Sequence, residues 1–207
     1  TAGITALNST SLKSLVSLQV PGLKTEQISA LSSSQIQYLG TPVLNSLSST
    51  QIKGFYYNAI AGLTTAQIST LSSVQLNNLN SMQLQALPTA DVVALTSAQV
   101  SSLSSQSVGW LSTIQIGSIE TVDLAAMTSV QIKALYSTQI SVLATGQIKA
   151  LSTAQLSPLS SSQIKGITSD QIRSFSSTQL SSLSSAQISS FAYTTTQLMS
   201  FTSVALA

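Results

Sequence analysis

The chain of 207 residues carries 43 Ser, 23 Thr and 21 Gln against seven basic and five acidic side chains, with no His and no Cys. That composition excludes a His general base, a Cys nucleophile and the usual zinc and iron–sulfur ligand sets. The chain is therefore expected not to be an enzyme, and no catalytic, cofactor-binding or metal residue is assigned. Charged residues make up only 6%, far below the roughly 25% of an ordinary domain, while 43% hydrophobic residues leave ample material for a core. A net charge of +2 with no run of cations steers neither nucleic acid nor an anionic membrane. Ser, Thr or Gln interrupts every apolar run before the ~18 residues a membrane helix needs, so no membrane insertion is expected.

An eight-residue register runs from Gly3 to the C-terminal end, so the expectation is one repeat array over 1–207 of about 25 octads. Gln opens 17 of the 24 octads from Gly3 to the one beginning at Gln187, and Asp91 and Asp123 stand in the same frame. The next residue is aliphatic throughout, from Ile4 and Leu12 to Ile188, and three positions later comes Leu, Ile, Phe or Met, as in Leu31, Phe55, Met127 and Phe175. The unit reads Q-I-x-x-L-S/T-S/T-x. After Phe191 two residues are inserted near 192–196, and the pattern resumes at Gln197, Leu198 and Phe201. Thr1–Val20 has no initiator Met and no signal-like apolar stretch, so the numbering is expected to begin after processing or inside a longer chain.

An octad does not fit one continuous element. Eight residues turn a helix through roughly 800°, so a long helix would drift about 80° per repeat and lose its apolar stripe. In a strand, two apolar residues three apart point to opposite faces. A chain of short helices does fit. In Leu31-Ser32-Ser33-Ser34-Gln35-Ile36, Ser32 can cap the helix and Gln35 at N3 can reach back to the Ser32 N–H. Leu31 and Ile36 then take the two places of a hydrophobic staple. The same arrangement recurs at Thr64…Gln67, Ser72…Gln75, Thr96…Gln99, Ser152…Gln155 and Ser184…Gln187.

Helices of six or seven residues cannot stand alone, so successive units must pack into one core. The predicted fold is an all-α solenoid of very short capped helices, two per coil in a 16-residue layer. The 16-residue spacing of Lys133, Lys149 and Lys165 suggests that pairing. The alternative is a β-solenoid with Gln, Ser and Thr ladders. Pro42 and Pro88 suit helix starts, whereas Pro21 and Pro158 fall late in their predicted helices and oppose the helical reading.

Irregular positions supply the candidate sites. Tyr38, Phe55, Tyr56, Tyr57 and Trp110 form a candidate partner patch, for stacking on a glycan or docking a partner. Glu120 and Asp123, the closely spaced carboxylates, read as a cap substitute and a residue suited to the positive end of a helix rather than a cation site. Lys13, Lys53, Lys133, Lys149, Lys165 and Arg173 share the third place of the octad, which puts nearly every cation on one solvated line. Position seven, Ser or Thr almost throughout from Ser33 to Ser185, becomes the exposed first residue of each helix. Ile4 and Leu7 at one end, and Phe201, Val204 and Leu206 at the other, are apolar where a soluble solenoid has polar caps, and are candidate assembly ends.

Tandem S/T-x-x-Q-I-x-x-L units, as in Ser152–Leu159 and Ser160–Ile167, resemble the long Ser/Thr/Gln-rich arrays of repetitive secreted and surface proteins of bacteria. The resemblance implies an extracellular or cell-surface structural or adhesive role, without catalytic residues. The expected function is thus a structural subunit that joins copies of itself into a filament or surface matrix. The alternative is an adhesin-type module that binds a glycan, a surface or ice.

Overall fold

Each octad forms a helix because its polar residues stand where helix ends leave backbone groups unpaired. Ser72 illustrates this in the computed structural model, which describes residues 2–191. Ser72 is extended (φ −69°, ψ 155°), its Oγ accepts the Gln75 N–H at 3.2 Å, and Gln75 Oε1 accepts the Ser72 N–H at 3.0 Å. Leu71 and Leu76 close the staple on either side, 3% and 1% exposed. The helix Ser73–Asn77 ends as Leu79 N–H bonds Leu76 O, and the next N-cap, Asn80, starts another.

This cap is the rule. It recurs at Ser48, Thr64, Asn80, Thr96, Ser112, Thr128, Ser160 and Thr168. At Val16, Lys24, Tyr136 and Ala144, whose side chains make no cap bond, only the Gln half is present, with Oε1 accepting the N-cap N–H at 2.6–2.9 Å. The described residues form α-helices of four to seven residues, somewhat shorter than expected, with one 3₁₀ segment at Ser17–Gly22 and no strand. The helical reading holds and the β-solenoid does not. The two opposing prolines are accommodated: Pro21 lies in the 3₁₀ segment, and Pro158 follows the C-cap of the short helix Thr153–Leu156.

Contacts group the chain into two units, Thr1–Leu103 and Ser104–Ala207. Within each, a helix packs chiefly against the third helix along rather than the second. In the first unit Thr25–Ser29 lies against Ser49–Gly54, Ser33–Ile36 against Tyr57–Ile60, and Ser73–Asn77 against Ser97–Ser102. In the second, Ser105–Trp110 lies against Ser129–Lys133, Thr121–Ala126 against Thr145–Ala150, and Ser161–Lys165 against Ser185–Phe191. Partners start three octads apart, as Thr25 and Ser49 do, so the coil holds three helices rather than the expected two. Each octad turns a corner at its extended N-cap, and three such corners close a coil.

The second and fifth residues of the octad point into the coil. Ile36, Leu39, Ile52, Phe55, Ile68 and Leu71 line the first unit's core, and Leu124, Met127, Ile132, Leu135, Ile140 and Leu143 line the second's; all are at most 5% exposed. The fourth residue is small where coils approach closely. A Cβ on Gly62 would run into the backbone of Ser33, and one on Gly166 would lie 2.6 Å from the carbonyl oxygen of Ser137.

Candidate functional site

The repeated Gln is buried, and its amide joins successive coils. Gln75 uses Oε1 for its own N-cap, while Nε2 donates to Leu44 O at 2.8 Å and Leu47 O at 3.0 Å. These carbonyls end the helix Thr41–Ser46, where Leu44 O takes only the C-cap N–H of Leu47 and Leu47 O lies beyond the last helical turn. Gln51 bonds Val20 and Leu23, Gln67 Ile36 and Leu39, Gln83 Ile52 and Phe55, and Gln99 Ile68 and Leu71. In the second unit Gln155 reaches Leu124 and Met127, Gln171 Ile140 and Leu143, Gln179 Ile148 and Leu151, and Gln187 Leu156 and Leu159. In every one of these rungs the acceptors lie 28 and 31 residues earlier. One side chain therefore satisfies the start of one helix and the end of another in the coil below. From Gln51 to Gln187 these side chains are 1–8% exposed, so an unmade bond would leave a costly buried polar group.

The Ser and Thr hydroxyls are largely engaged. Besides the N-caps, Ser102, Ser118, Ser174 and Ser182 Oγ donate back to the carbonyls of Gln99, Gln115, Gln171 and Gln179 at 2.6–2.8 Å. The position-seven residues begin the helices; they are exposed at Thr65, Thr89, Thr121 and Thr145 and half-buried at Ser49, Ser73 and Ser97.

The aromatic candidates do not form one patch. Phe55 is a core residue, 3% exposed. Tyr56 and Tyr57 are exposed, with ring centroids 4.6 Å apart and planes tilted by 39°. They open on a cleft of about 670 Å³ lined also by Asn58, Ala61, Met82, Gln85 and Ala86. Tyr38 lies elsewhere in the same unit, under Lys13 Nζ at 5.3 Å from its ring centroid. Trp110 belongs to the second unit, where it lines a shallow cleft with Gln106, Gly109, Ala134 and Tyr136. Tyr38 and Trp110 occupy the fourth octad place, which is Gly, Ala, Ser or Thr in most other octads, and both stay half-exposed.

The cations are not on one line. With three octads per coil, Lys133, Lys149 and Lys165 stand on three different sides, while Arg173 follows Lys149 by three octads and shares its side. Arg173 pairs with Asp170 at 3.3 Å, an exposed contact of little energetic weight. Glu120 is an exposed N-cap, and Asp123 is buried at N3, the place Gln takes elsewhere. Among the described residues no three His, Cys, Asp or Glu side chains come together, and no helix is long and apolar enough to cross a membrane. Ile4 is buried and Leu7 half-buried, with their carbonyls accepting from Gln35 Nε2 at 3.3 and 3.1 Å. Phe201, Val204 and Leu206 lie outside the described residues.

A family model described as the ALTTAQ repeat matches residues 116–153 and 141–177. Within that stretch Ala150-Leu151-Ser152-Thr153-Ala154-Gln155 has the same pattern, running from the end of one helix through the staple Leu and the Ser152 N-cap to the Gln of the next. No curated protein matches the chain. It is a repeat protein, and its residues 116–177 are similar to ALTTAQ repeats.

Proposed function

We propose that this chain is a non-enzymatic structural protein of the extracellular space or cell surface, a solenoid subunit that assembles head to tail into a filament or matrix. The observation that carries the proposal is the sameness of the bond between coils. One rim of every coil presents Gln amide donors, the other presents helix-end carbonyls, and the two are complementary wherever they meet. In the first coil, Gln19 and Gln27 use Oε1 for their own N-caps, and among the described residues their amides reach no coil below. Val16 and Leu18 are exposed beside them, 54% and 89%. A second copy brought onto that rim would meet it as one coil meets the next, a contact that does not close and so extends. Few charges oppose such stacking. The extracellular placement rests on the resemblance of the Ser/Thr/Gln-rich repeats to surface arrays.

Sedimentation of the intact chain over a range of concentrations tests the proposal. Association that rises with concentration, and that weakens when Gln19 and Gln27 are both changed to Glu, is expected. A monomer at every concentration overturns it. The Tyr56–Tyr57 cleft favours a second reading, glycan binding by ring stacking with amides from Asn58 and Gln85 nearby. Oligosaccharide titration followed by tyrosine fluorescence, lost in Tyr56→Ala, is the result that reading requires.

A further inference from the structure

One rung of the ladder is chemically different. Asp91, at N3 of the helix Thr89–Val93, replaces Gln and is 3% exposed. Its N-cap is Pro88, which has no N–H, so the bond that Gln Oε1 accepts elsewhere has no donor here. The carbonyls in the places that the ladder reaches from here belong to Leu63 and Ile60, at the end of the helix Tyr57–Ile60. In the neighbouring rungs the equivalent oxygens take the amide hydrogens of Gln83 and Gln99. Asp91 brings no amide, and its Oδ2 is buried without a hydrogen-bond partner. An ionised carboxylate would be an acceptor with no donor, set in a place built to supply one. A neutral carboxyl carries the missing hydrogen.

We propose that Asp91 is a protonatable rung of the ladder: its neutral carboxyl donates O–H to a helix-end carbonyl of the coil below, and ionisation opens that joint between coils. The surroundings supply no charge to hold the anion. The helix Thr65–Ile68, which Thr89–Val93 packs against, has no titratable residue, nor do the chain neighbours Ser81–Gln85 and Ser97–Ser102. Between Lys53 and Glu120, Asp91 is the only charged residue, and Tyr56 and Tyr57 are the only other titratable ones. Tyr56 is raised above the ordinary phenol range, first by its hydrogen bond with Tyr57, so that phenol stays neutral wherever a carboxyl titrates. Burial alone pushes the Asp91 carboxyl up to about 6.

The direction follows from linkage. A carboxyl whose folded pKa lies above its unfolded value near 3.9 holds its proton more tightly when folded. Its contribution is fully present below about pH 4 and is lost as pH rises through about 6. The chain has no His, the side chain that ordinarily titrates in this window. The test is thermal and urea unfolding of the intact chain between about pH 4.5 and 7.5, for wild type and Asp91→Asn, together with the carboxyl carbon shift of Asp91 in wild type. The wild type should lose about 25-fold in folding equilibrium constant as pH rises across this window, Asp91→Asn should be nearly flat, and the Asp91 signal should titrate near 6. An Asp91 signal that titrates near 4, or a pH profile that the substitution leaves unchanged, overturns the proposal. The carboxyl titration decides alone if the variant does not fold.

Discussion

Gln75 makes the residue-scale argument concrete. Its Oε1 serves a helix start and its Nε2 a helix end 28–31 residues away, so substitutions separate the two roles. Gln75→Leu takes the acceptor from the Ser72 N–H and the amide donor from Leu47 O and Leu44 O, of which only Leu44 O keeps another partner, and should cost about 1–3 kcal/mol in urea unfolding. Gln75→Glu retains the N-cap bond but places a carboxylate against Leu44 O and Leu47 O. Its loss should exceed that of Leu at neutral pH and shrink in acid, where the protonated carboxyl can donate. An exposed N3 Gln working only as a local cap predicts instead that Glu is tolerated at every pH.

The local half of this chemistry is legible in the sequence and the distant half is not. A Ser at N-cap and a Gln at N3 are recognisable within a single octad, and the staple leucines confirm the frame. The role of Nε2 depends on what lies beneath, which no single octad specifies. One signal points to it: a capping box accepts Glu as readily as Gln, yet no Glu occupies the Gln frame, where Gly, Ser, Val, Ala and Asp do.

At the scale of the element, short helices persist because each end is satisfied and one side is buried. Caps should therefore be individually measurable. Ala144 begins the helix Thr145–Ala150 with only the Gln half of the box, and Ala144→Ser should add about 0.5–1 kcal/mol by thermal unfolding. Glycines separate by what they face. Gly146, inside that same helix, meets nothing within 4 Å of an added Cβ, and Gly146→Ala should stabilise by about 0.5–1 kcal/mol. Gly62→Ala drives a Cβ against the Ser33 backbone and should cost about 1–3 kcal/mol. The octad pattern misjudges the prolines because it predicts longer helices than form. Pro158 falls beyond a four-residue helix, and Pro21 is absorbed by a tighter turn.

At the scale of the whole molecule, the sequence carries an eight-residue period but not the number of octads in a coil. That number follows from corner geometry at the extended N-caps, to which the helix residues are indifferent. The 16-residue spacing of Lys133, Lys149 and Lys165 misleads, since exposed side chains are not constrained by stacking and these three stand on different sides. Spreading the cations also leaves no charged face, so the proposed association should change little between about 0.05 and 0.5 M salt. The apolar positions are legible throughout because burial of the second and fifth residues is the same for any number of helices per coil.

The three-helix coil is tested most directly by spin labels on paired cysteines, which the absence of native Cys makes selective. Thr50 and Val74 are exposed, three octads apart, on the packed helices Ser49–Gly54 and Ser73–Asn77, whereas Thr50 and Ala66 are two octads apart. Packed helices lie about 8–10 Å apart, close enough for strong dipolar broadening. Broadening should be strong for the Thr50/Val74 pair and weak for Thr50/Ala66. The reverse order would contradict the three-octad coil and the glutamine ladder that depends on it.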